Sequence, residues 1–166
     1  MPSLLEYPLK ERLKVLRVSI DLSARFRSLV RKCFPNAEII ADKFHAVRIA
    51  NDALETIRKE VQKALSAEQR KYFKRSRYLL LKREDALTTD ENRKARTVLL
   101  SCSEKLSAAY AMKEAYFSIM ESKSKEEFIF RPKRFQLAVE ETKLAPFLKL
   151  LRTTLAWKKT VERLFD

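Results

Sequence analysis

Apolar and polar residues alternate early in the chain in a way that predicts two strands around one helix. Residues 15–20 (VLRVSI) and 38–41 (EIIA) are short apolar runs with β-branched side chains, which is typical of strands. Between them, apolar residues recur at helical spacing, at Phe26, Leu29, Val30 and Cys33. Pro35 then ends this helix. A strand, a helix and a strand within about thirty residues predict a βαβ unit with parallel strands and a right-handed crossover.

From residue 42 onward the pattern is helical. The first of these helices carries one apolar stripe, formed by Phe44, Val47, Ala50, Leu54, Ile57, Val61 and Leu65. Two more helices are predicted at residues 67–82 and 91–121, with the turn and cap residues TTDEN between them. The stretch SKSKEEFIFRPKRF is interpreted as a connector, and residues 135–144 and 146–165 are predicted as the last two helices. The predicted fold class is therefore α/β and mostly helical.

The chain of 166 residues is long enough to bury a hydrophobic core. Trp157, the only tryptophan, falls in a late apolar stripe with Leu151, Leu155 and Val161, so core packing is its predicted role. The predicted sheet is too small, because two parallel strands have open edges and little coverage. Either further strands come from elsewhere, or the chain is a piece of something larger.

Composition narrows the classes of function. The 36 Lys and Arg residues exceed the 22 Asp and Glu residues by 14, which points to an anionic partner: nucleic acid first, an acidic membrane surface second. A basic protein without such a partner remains open. Average glycine usage of about 7% would give about twelve glycines. The chain has none, so it contains no glycine-rich phosphate-binding loop of the ordinary nucleotide-binding folds.

Cysteine usage and the N-terminus indicate a compartment. The two cysteines, Cys33 and Cys102, are far apart and form no CxxC pair, so a zinc site or disulfide framework is not expected and a reducing cytoplasm fits best. The N-terminal MPSLLEYPLKERLK lacks the continuous apolar core of a secretion signal. No run approaches the roughly 18 apolar residues of a membrane span.

A basic stretch, residues 69–84 (QRKYFKRSRYLLLKRE), interleaves cations with aromatic residues. Its candidate DNA-binding residues are Arg70, Lys71, Lys74, Arg75, Arg77, Lys82 and Arg83. On a helix, Phe73 and Leu80 can face a core while Lys71, Lys74, Arg75 and Lys82 face outward. Such a surface would bind phosphates with an affinity that falls as salt rises. The alternative for these residues is a solvated helical face.

An acid ends each predicted strand, Asp21 the first and Asp42 the second. In open α/β folds, functional side chains gather at the carboxyl ends of parallel strands, so the two carboxylates are expected at one edge. Such carboxylates suit Mg²⁺ or Mn²⁺ in phosphodiester chemistry. The alternative is that both aspartates only cap helices, with His45, the only histidine, bonded locally to Asp42.

A series of ordered motifs resembles the catalytic core of bacterial insertion-sequence transposases of the DDE class, specifically the ISL-three group. The motifs are IDLS, FPNA, DKFH, VR and NDAL, at residues 20–23, 34–37, 42–45, 47–48 and 51–54. Further on, FKRSRYLLLKR and KLSAAYAMKE are similar to two later stretches of that group. The resemblance covers nearly the whole chain.

The resemblance implies a ribonuclease-H-like fold interrupted by a helical insertion. Residues 1–65 would be part of the catalytic core and residues 66–166 the helical insertion. In this family a triad of two aspartates and a glutamate holds Mg²⁺ or Mn²⁺ ions. Asp21 matches the second acid of the triad and is the candidate catalytic residue and metal ligand. Asp42 and His45 match an acid-x-x-His motif and, with Arg48, would position the metal site or the DNA.

The family's first triad Asp lies on an earlier strand, and its Glu follows in a Thr-Asn-x-x-x-Glu-Gly context that is not found before the final KKTVERLFD. We therefore expect a central fragment of the catalytic domain that acts in DNA transposition but is inactive alone. The intact family binds the metal ions, and whether this fragment binds any is left open. A non-enzymatic basic helical protein that binds DNA or inhibits an intact transposase is the second hypothesis, and a helical interaction protein is the third.

The expected partners are DNA at the ends of the element and, as an open possibility, an intact transposase or a second copy of the chain. No membrane and no small-molecule substrate are expected. The expected location is the bacterial cytoplasm, in association with the nucleoid.

Overall fold

The computed structural model describes residues 4–162, apart from the side chains at positions 125, 129, 130 and 162. Within them, two parallel strands, β1 (Arg17–Ile20) and β2 (Glu38–Ala41), flank the helix α2 (Ala24–Cys33). The pairing register runs from Arg17 opposite Glu38 to Ile20 opposite Ala41. This is the predicted βαβ order with parallel strands, although β1 begins two residues later than expected. The helix α2 ends just before Pro35, as predicted.

Helices form most of the rest of the described chain. A short 3-10 turn (Leu4–Glu6) and α1 (Leu9–Arg12) precede β1. The helices after β2 are α3 (Lys43–Lys63), α4 (Ala67–Arg75), α5 (Arg77–Leu81), α6 (Asp90–Ser101), α7 (Glu104–Met120), α8 (Lys125–Phe130), α9 (Pro132–Thr142), α10 (Ala145–Ala156) and α11 (Lys158–Glu162).

Side-chain caps explain where several of these helices begin. At the start of α4, the Ser66 hydroxyl accepts from the backbone N–H of Gln69, whose side chain accepts from the Ser66 N–H in return. Thr89, in the predicted TTDEN turn, caps α6 by accepting from the N–H of Asn92. Ser103 caps α7 by accepting from the N–H of Leu106.

Two predicted helices are wrong as continuous elements. Residues 67–82 form α4 and α5, because the chain leaves helical geometry at Ser76. Residues 91–121 form α6 and α7, because Ser103 starts a new helix with an extended backbone and its own cap. In both segments the apolar spacing continues across the break, so periodicity alone predicts one helix.

The C-terminal third also differs from the prediction. The predicted connector is helical, since it contains α8 and the start of α9, with Pro132 in the first turn of α9. The last predicted helix breaks at Trp157, after which α11 follows as a separate short helix. Residues 163–166 of that prediction lie outside the described residues.

The hydrophobic core is built around α3, which packs most extensively against α7 and then against α10. The buried face of α3 combines three small residues, Ala46, Ala50 and Ala53, with the larger Leu54 and Ile57. Small side chains allow the neighbouring helix to approach closely, and the larger ones fill the space beside it. The same core includes Phe73 and Leu80 from the basic stretch, both buried as predicted, as well as Trp157 and Val161.

Some members of the predicted apolar stripes are exposed. Phe44, the first member of the α3 stripe, is 71% exposed, and Phe26 and Leu29 of α2 are exposed as well. Leu155 of the last stripe is 51% exposed, whereas its neighbours in that stripe are buried. In the described chain, β1 has a strand neighbour on one edge only, while α11 packs against β2. The exposed apolar residues near β1 therefore lie where the described residues provide no cover.

We expect Leu54→Ala to destabilise the protein by about 3 kcal/mol, because it removes fully buried methyl groups and leaves a cavity between α3 and its neighbours. The matched control Leu155→Ala removes the same atoms from an exposed site and should change the free energy of unfolding by less than about 0.5 kcal/mol. Urea unfolding followed by tryptophan fluorescence measures both. Equal losses for the two variants would contradict the assignment of α3 to the centre of the core.

Candidate functional site

The parallel register brings the ends of β1 and β2 to one edge of the sheet. The backbone N–H of Asp42 donates to the carbonyl of Ile20 across 2.7 Å, so Asp21 and Asp42 leave their strands side by side. Both acids line an open cavity of about 350 Å³, together with Ser19, Ile20, Phe26 and His45. The expected meeting of the two carboxylates at one edge is thus present in the described chain.

Asp42 uses both carboxylate oxygens within its own turn. Oδ1 accepts from the N–H of Phe44 at 2.9 Å, which caps α3. Oδ2 lies 2.6 Å from Nδ1 of His45. The hydrogen bond with His45 is the main reason that the pKa of Asp42 lies below its usual value of 3.8; burial acts in the opposite direction, and the N–H of Phe44 adds to the lowering. Asp42 therefore caps α3 and orients His45 at the same time.

Asp21 differs from Asp42 because it has an unused oxygen. Its Oδ1 is buried and has no hydrogen-bond partner among the described residues. A buried carboxylate oxygen without a partner is costly, and a divalent cation is one group that would satisfy it. The part of the chain that the structure describes contains no group of three or more side chains able to hold a metal ion. Asp21 can therefore be one ligand, whereas each oxygen of Asp42 already has a hydrogen-bond partner.

Arg48 lies on α3 one turn after His45, with its side chain exposed. It does not line the cavity that holds Asp21, Asp42 and His45. Of the four residues that the sequence groups at this edge, the structure brings three together and places Arg48 beside them on the helix surface.

The predicted cations of the basic segment, defined as residues 70–83, fall into two groups. Five are exposed and form no ion pair within the described chain: Arg70, Lys71, Lys74, Arg75 and Lys82. The other two already have acidic partners. Arg77 Nε lies 3.9 Å from Glu55, and Arg83 is paired with Asp85 and Glu121. The surface available to an anion is therefore smaller than the sequence alone indicates.

A buried arginine that the sequence analysis did not single out ties the basic segment to α3. The Arg58 side chain is buried and donates to both oxygens of Glu55, at 2.8 and 2.7 Å, and to Gln62 Oε1 at 2.5 Å. Gln62 in turn donates to the carbonyl of Arg70 at 3.2 Å. The hydrogen bonds from Arg58 are the main cause that lowers the pKa of Glu55. The spacing of Glu55, Arg58 and Gln62, three and four residues apart, is the signal that could have revealed this network.

The helix α3 connects the cavity at the sheet edge with the basic segment, so it sets the distance between them. Asp42 caps its N-terminus and Gln62 holds α4 near its C-terminus, so 62 − 42 = 20 residues separate the two points. At about 1.5 Å per residue this corresponds to roughly 30 Å along the helix axis.

Comparison with known proteins identifies the family. The model of a family described as a transposase, the ISL-three group of DDE transposases, matches residues 2–166. The chain belongs to this DDE transposase family. No curated protein and no solved structure matches the chain.

The family motifs of this transposase chain lie around the two features described above. IDLS covers the end of β1 and Asp21, and DKFH covers the cap and first residues of α3. KLSAAYAMKE forms the first part of α7, which packs against α3. Transposases act on DNA, and DDE transposases in general use divalent metal ions. Among residues 4–162, no helix is long and apolar enough to cross a membrane.

We expect Asp42→Asn to lower stability by less than about 1 kcal/mol at pH 6, because asparagine keeps the cap and removes the charge of a carboxylate that is 35% exposed. A carboxylate whose pKa is lowered on folding stabilises the protein above its unfolded value of 3.8, and this contribution disappears as pH falls further. The two unfolding free energies should therefore converge between pH 6 and pH 3. A difference that is the same at both pH values would show that the charge of Asp42 is irrelevant.

Proposed function

We propose that this transposase chain takes part in strand cleavage and strand transfer at the ends of an insertion sequence, with Asp21 as the second acid of the DDE triad. The observation that carries this proposal is the free, buried Oδ1 of Asp21 at the carboxyl edge of a parallel sheet, beside an open cavity. A divalent ion bound there would polarise a phosphate and activate the attacking oxygen. Asp21 would hold that ion through the oxygen that has no other partner.

Asp42 and His45 have a supporting role in this proposal. Asp42 fixes the ring of His45 at the mouth of the cavity, 2.6 Å away, while both Asp42 oxygens stay occupied. His45 is thus presented toward the space where a phosphate would approach Asp21. Arg48, exposed one turn later on α3, would contact the DNA backbone outside the cavity.

We also propose that the sheet is part of a ribonuclease-H-like core formed by residues 1–65, and that residues 66–166 are a helical insertion. The chain leaves the sheet through α3 and returns to it through α11, which packs against β2. Three apolar residues near β1, Leu16, Phe26 and Phe44, are exposed, and such residues are suited to burial under further structure.

We also propose that this chain is catalytically incomplete by itself. The described residues supply one free carboxylate at the site, and a two-ion reaction needs ligands from more than one acid. The described arrangement would therefore bind DNA but not cleave it without additional carboxylates. This also keeps the second candidate function in view, a non-enzymatic DNA-binding or transposase-inhibiting protein. It is favoured by the five exposed cations of the basic segment that form no ion pair within the described chain.

Binding to DNA is proposed to use the basic segment. Its five unpaired cations would contact phosphates, and the net charge of +14 would draw the chain toward DNA over a longer range. Such contacts are independent of base sequence, so recognition of the element ends would need additional contacts. A protein of this kind would work in the bacterial cytoplasm, in association with the nucleoid.

We expect the purified chain to bind Mn²⁺ at a single weak site that Asp21→Asn removes, because this substitution replaces the free carboxylate by an amide. Asp52→Asn, which changes an exposed aspartate on α3, is the matched control and should leave Mn²⁺ binding intact. Mn²⁺-enhanced water proton relaxation measures the binding without requiring activity. Equal binding by wild type and Asp21→Asn would overturn the assignment of Asp21 as a metal ligand.

Replacing one contact residue should change the salt dependence of DNA binding in a countable way. For Lys74→Gln, the slope of log K against log salt should become less negative by about 0.9, the value for one lost phosphate contact. Lys123→Gln, an exposed lysine outside the basic segment, should leave the slope unchanged. Fluorescence anisotropy with a labelled duplex at several salt concentrations gives the slopes. If both variants behave alike, the basic segment is not the DNA-binding surface.

A further inference from the structure

Lys113 of α7 is a buried lysine with no part in the site described above. Its side chain is fully buried, although α7 is otherwise in contact mainly with apolar surfaces. We propose that Lys113 is a positioning residue for DNA binding, which locks the C-terminal end of the basic segment so that its exposed cations keep a fixed arrangement. This inference rests on the proposed function of that segment.

The ammonium group of Lys113 has two hydrogen-bond acceptors and one ion-pair partner. It donates to the carbonyl of Leu80 at 2.9 Å and to the carbonyl of Lys82 at 2.8 Å. It also forms an ion pair with Glu114, whose Oε1 lies 2.5 Å from Nζ. A buried cation that keeps its hydrogen-bond and ion-pair partners is tolerated, whereas the same cation with one partner missing is strongly unfavourable.

The position of these carbonyls explains why a cation is suitable there. Leu80 belongs to α5 and Lys82 directly follows this helix, so their carbonyls lie at its C-terminal end, where backbone acceptors lack helical partners. The helix dipole also favours positive charge at this end. The rings of Tyr110 and Phe117 lie 4.3 and 5.0 Å from Nζ of Lys113, close enough for cation–π contacts.

Other contacts hold the residues that follow α5. Arg83 is paired with Glu121 at the end of α7, and Glu84 lies 2.9 Å from Arg96 of α6. Leu87 is buried in the core. Lys113 lies at the start of this series of contacts, because it holds the backbone of Lys82, whose own side chain is exposed and available to a phosphate.

Lys113 also connects two family motifs. FKRSRYLLLKR supplies the two carbonyl acceptors, and KLSAAYAMKE supplies Lys113 and Glu114. The motifs are about thirty residues apart in sequence, since Lys113 and Leu80 differ by 33 positions. Their contact in the structure gives the lysine and the acid a shared role, to hold the basic segment against α7.

Ordering the basic segment and contacting phosphate have different effects on DNA binding. A fully buried Lys113 touches no phosphate, so its loss should leave the number of phosphate contacts in the complex unchanged. Binding would instead have to restore the order of the residues around Lys82, which weakens the affinity by an equal factor at every salt concentration. Loss of a residue that contacts phosphate changes the slope of log K against log salt. Loss of a positioning residue lowers K by the same factor at every salt concentration and leaves the slope unchanged.

The experiment compares Lys113→Met with Lys82→Gln, under conditions where circular dichroism shows both variants folded. We expect Lys113→Met to bind a labelled duplex about tenfold more weakly at each salt concentration with the slope of the wild type. For Lys82→Gln, the slope of log K against log salt should instead become less negative by about 0.9. Hydrogen exchange should show lost protection in residues 77–87 of Lys113→Met, with protection of α3 retained. Glu114→Gln, which keeps an oxygen acceptor at this position, serves as the second variant if Lys113→Met does not fold, and should show a smaller effect of the same kind.

The outcomes separate this inference from the proposed function. Unchanged affinity and unchanged protection in Lys113→Met, or in Glu114→Gln if that variant is used, would overturn the positioning role. A less negative slope in Lys113→Met would also overturn the positioning role, because it would show that phosphate contacts are lost. If the wild type binds no DNA at any salt concentration, the proposed DNA binding and the positioning role both fail. Hydrogen exchange would then still show whether Lys113 locks residues 77–87.

Discussion

The close packing of α3 against α7 is the interaction on which the rest of the structure depends. It is possible because α3 turns small residues, Ala46, Ala50 and Ala53, toward the core beside Leu54 and Ile57. The N-terminal cap of α3 forms one wall of the cavity at the sheet edge, and its C-terminal half holds the basic helix α4 through Gln62. A single well-packed helix thus sets the separation of the two candidate functional surfaces.

The charges of this protein are divided between internal and external use. Buried cations have internal partners: Arg58 donates to Glu55 and Gln62, and Lys113 donates to two carbonyls and is ion-paired with Glu114. Burial is also the main cause that lowers the pKa of Lys113. Such groups cost stability when a partner is removed, and they specify one arrangement of the helices that carry them. The exposed cations of the basic segment are left for solvent or for an anion.

The carboxyl edge of the sheet shows how one local motif can have two roles. Asp42 is both the cap of α3 and the partner of His45, so the capping interpretation and the site interpretation describe the same contacts. Asp21 is where the two interpretations separate, because it has a buried oxygen that no described residue satisfies. The exposed Phe26 and Phe44 beside it indicate that this edge is suited to further cover.

Local pattern determined the βαβ order, the parallel strands, the end of α2 near Pro35 and the meeting of Asp21 and Asp42 at one edge. These features follow from short-range alternation and from the geometry of parallel strands, and the ordered motifs were sufficient for the family. Among the site residues, the sequence also placed Asp42 and His45 in contact, because a spacing of three residues at the start of a helix brings their side chains together.

Only the tertiary structure decided the helix breaks at Ser76 and Ser103 and the exposure of Phe44. It also decided that Arg77 and Arg83 have acidic partners and that Lys113 is buried. Burial and pairing are determined by neighbours distant in the chain, such as Leu80 and Lys113, which are 33 positions apart. A periodic pattern shows which face of a helix is apolar, but not which part of that face another element covers or which cation another helix neutralises.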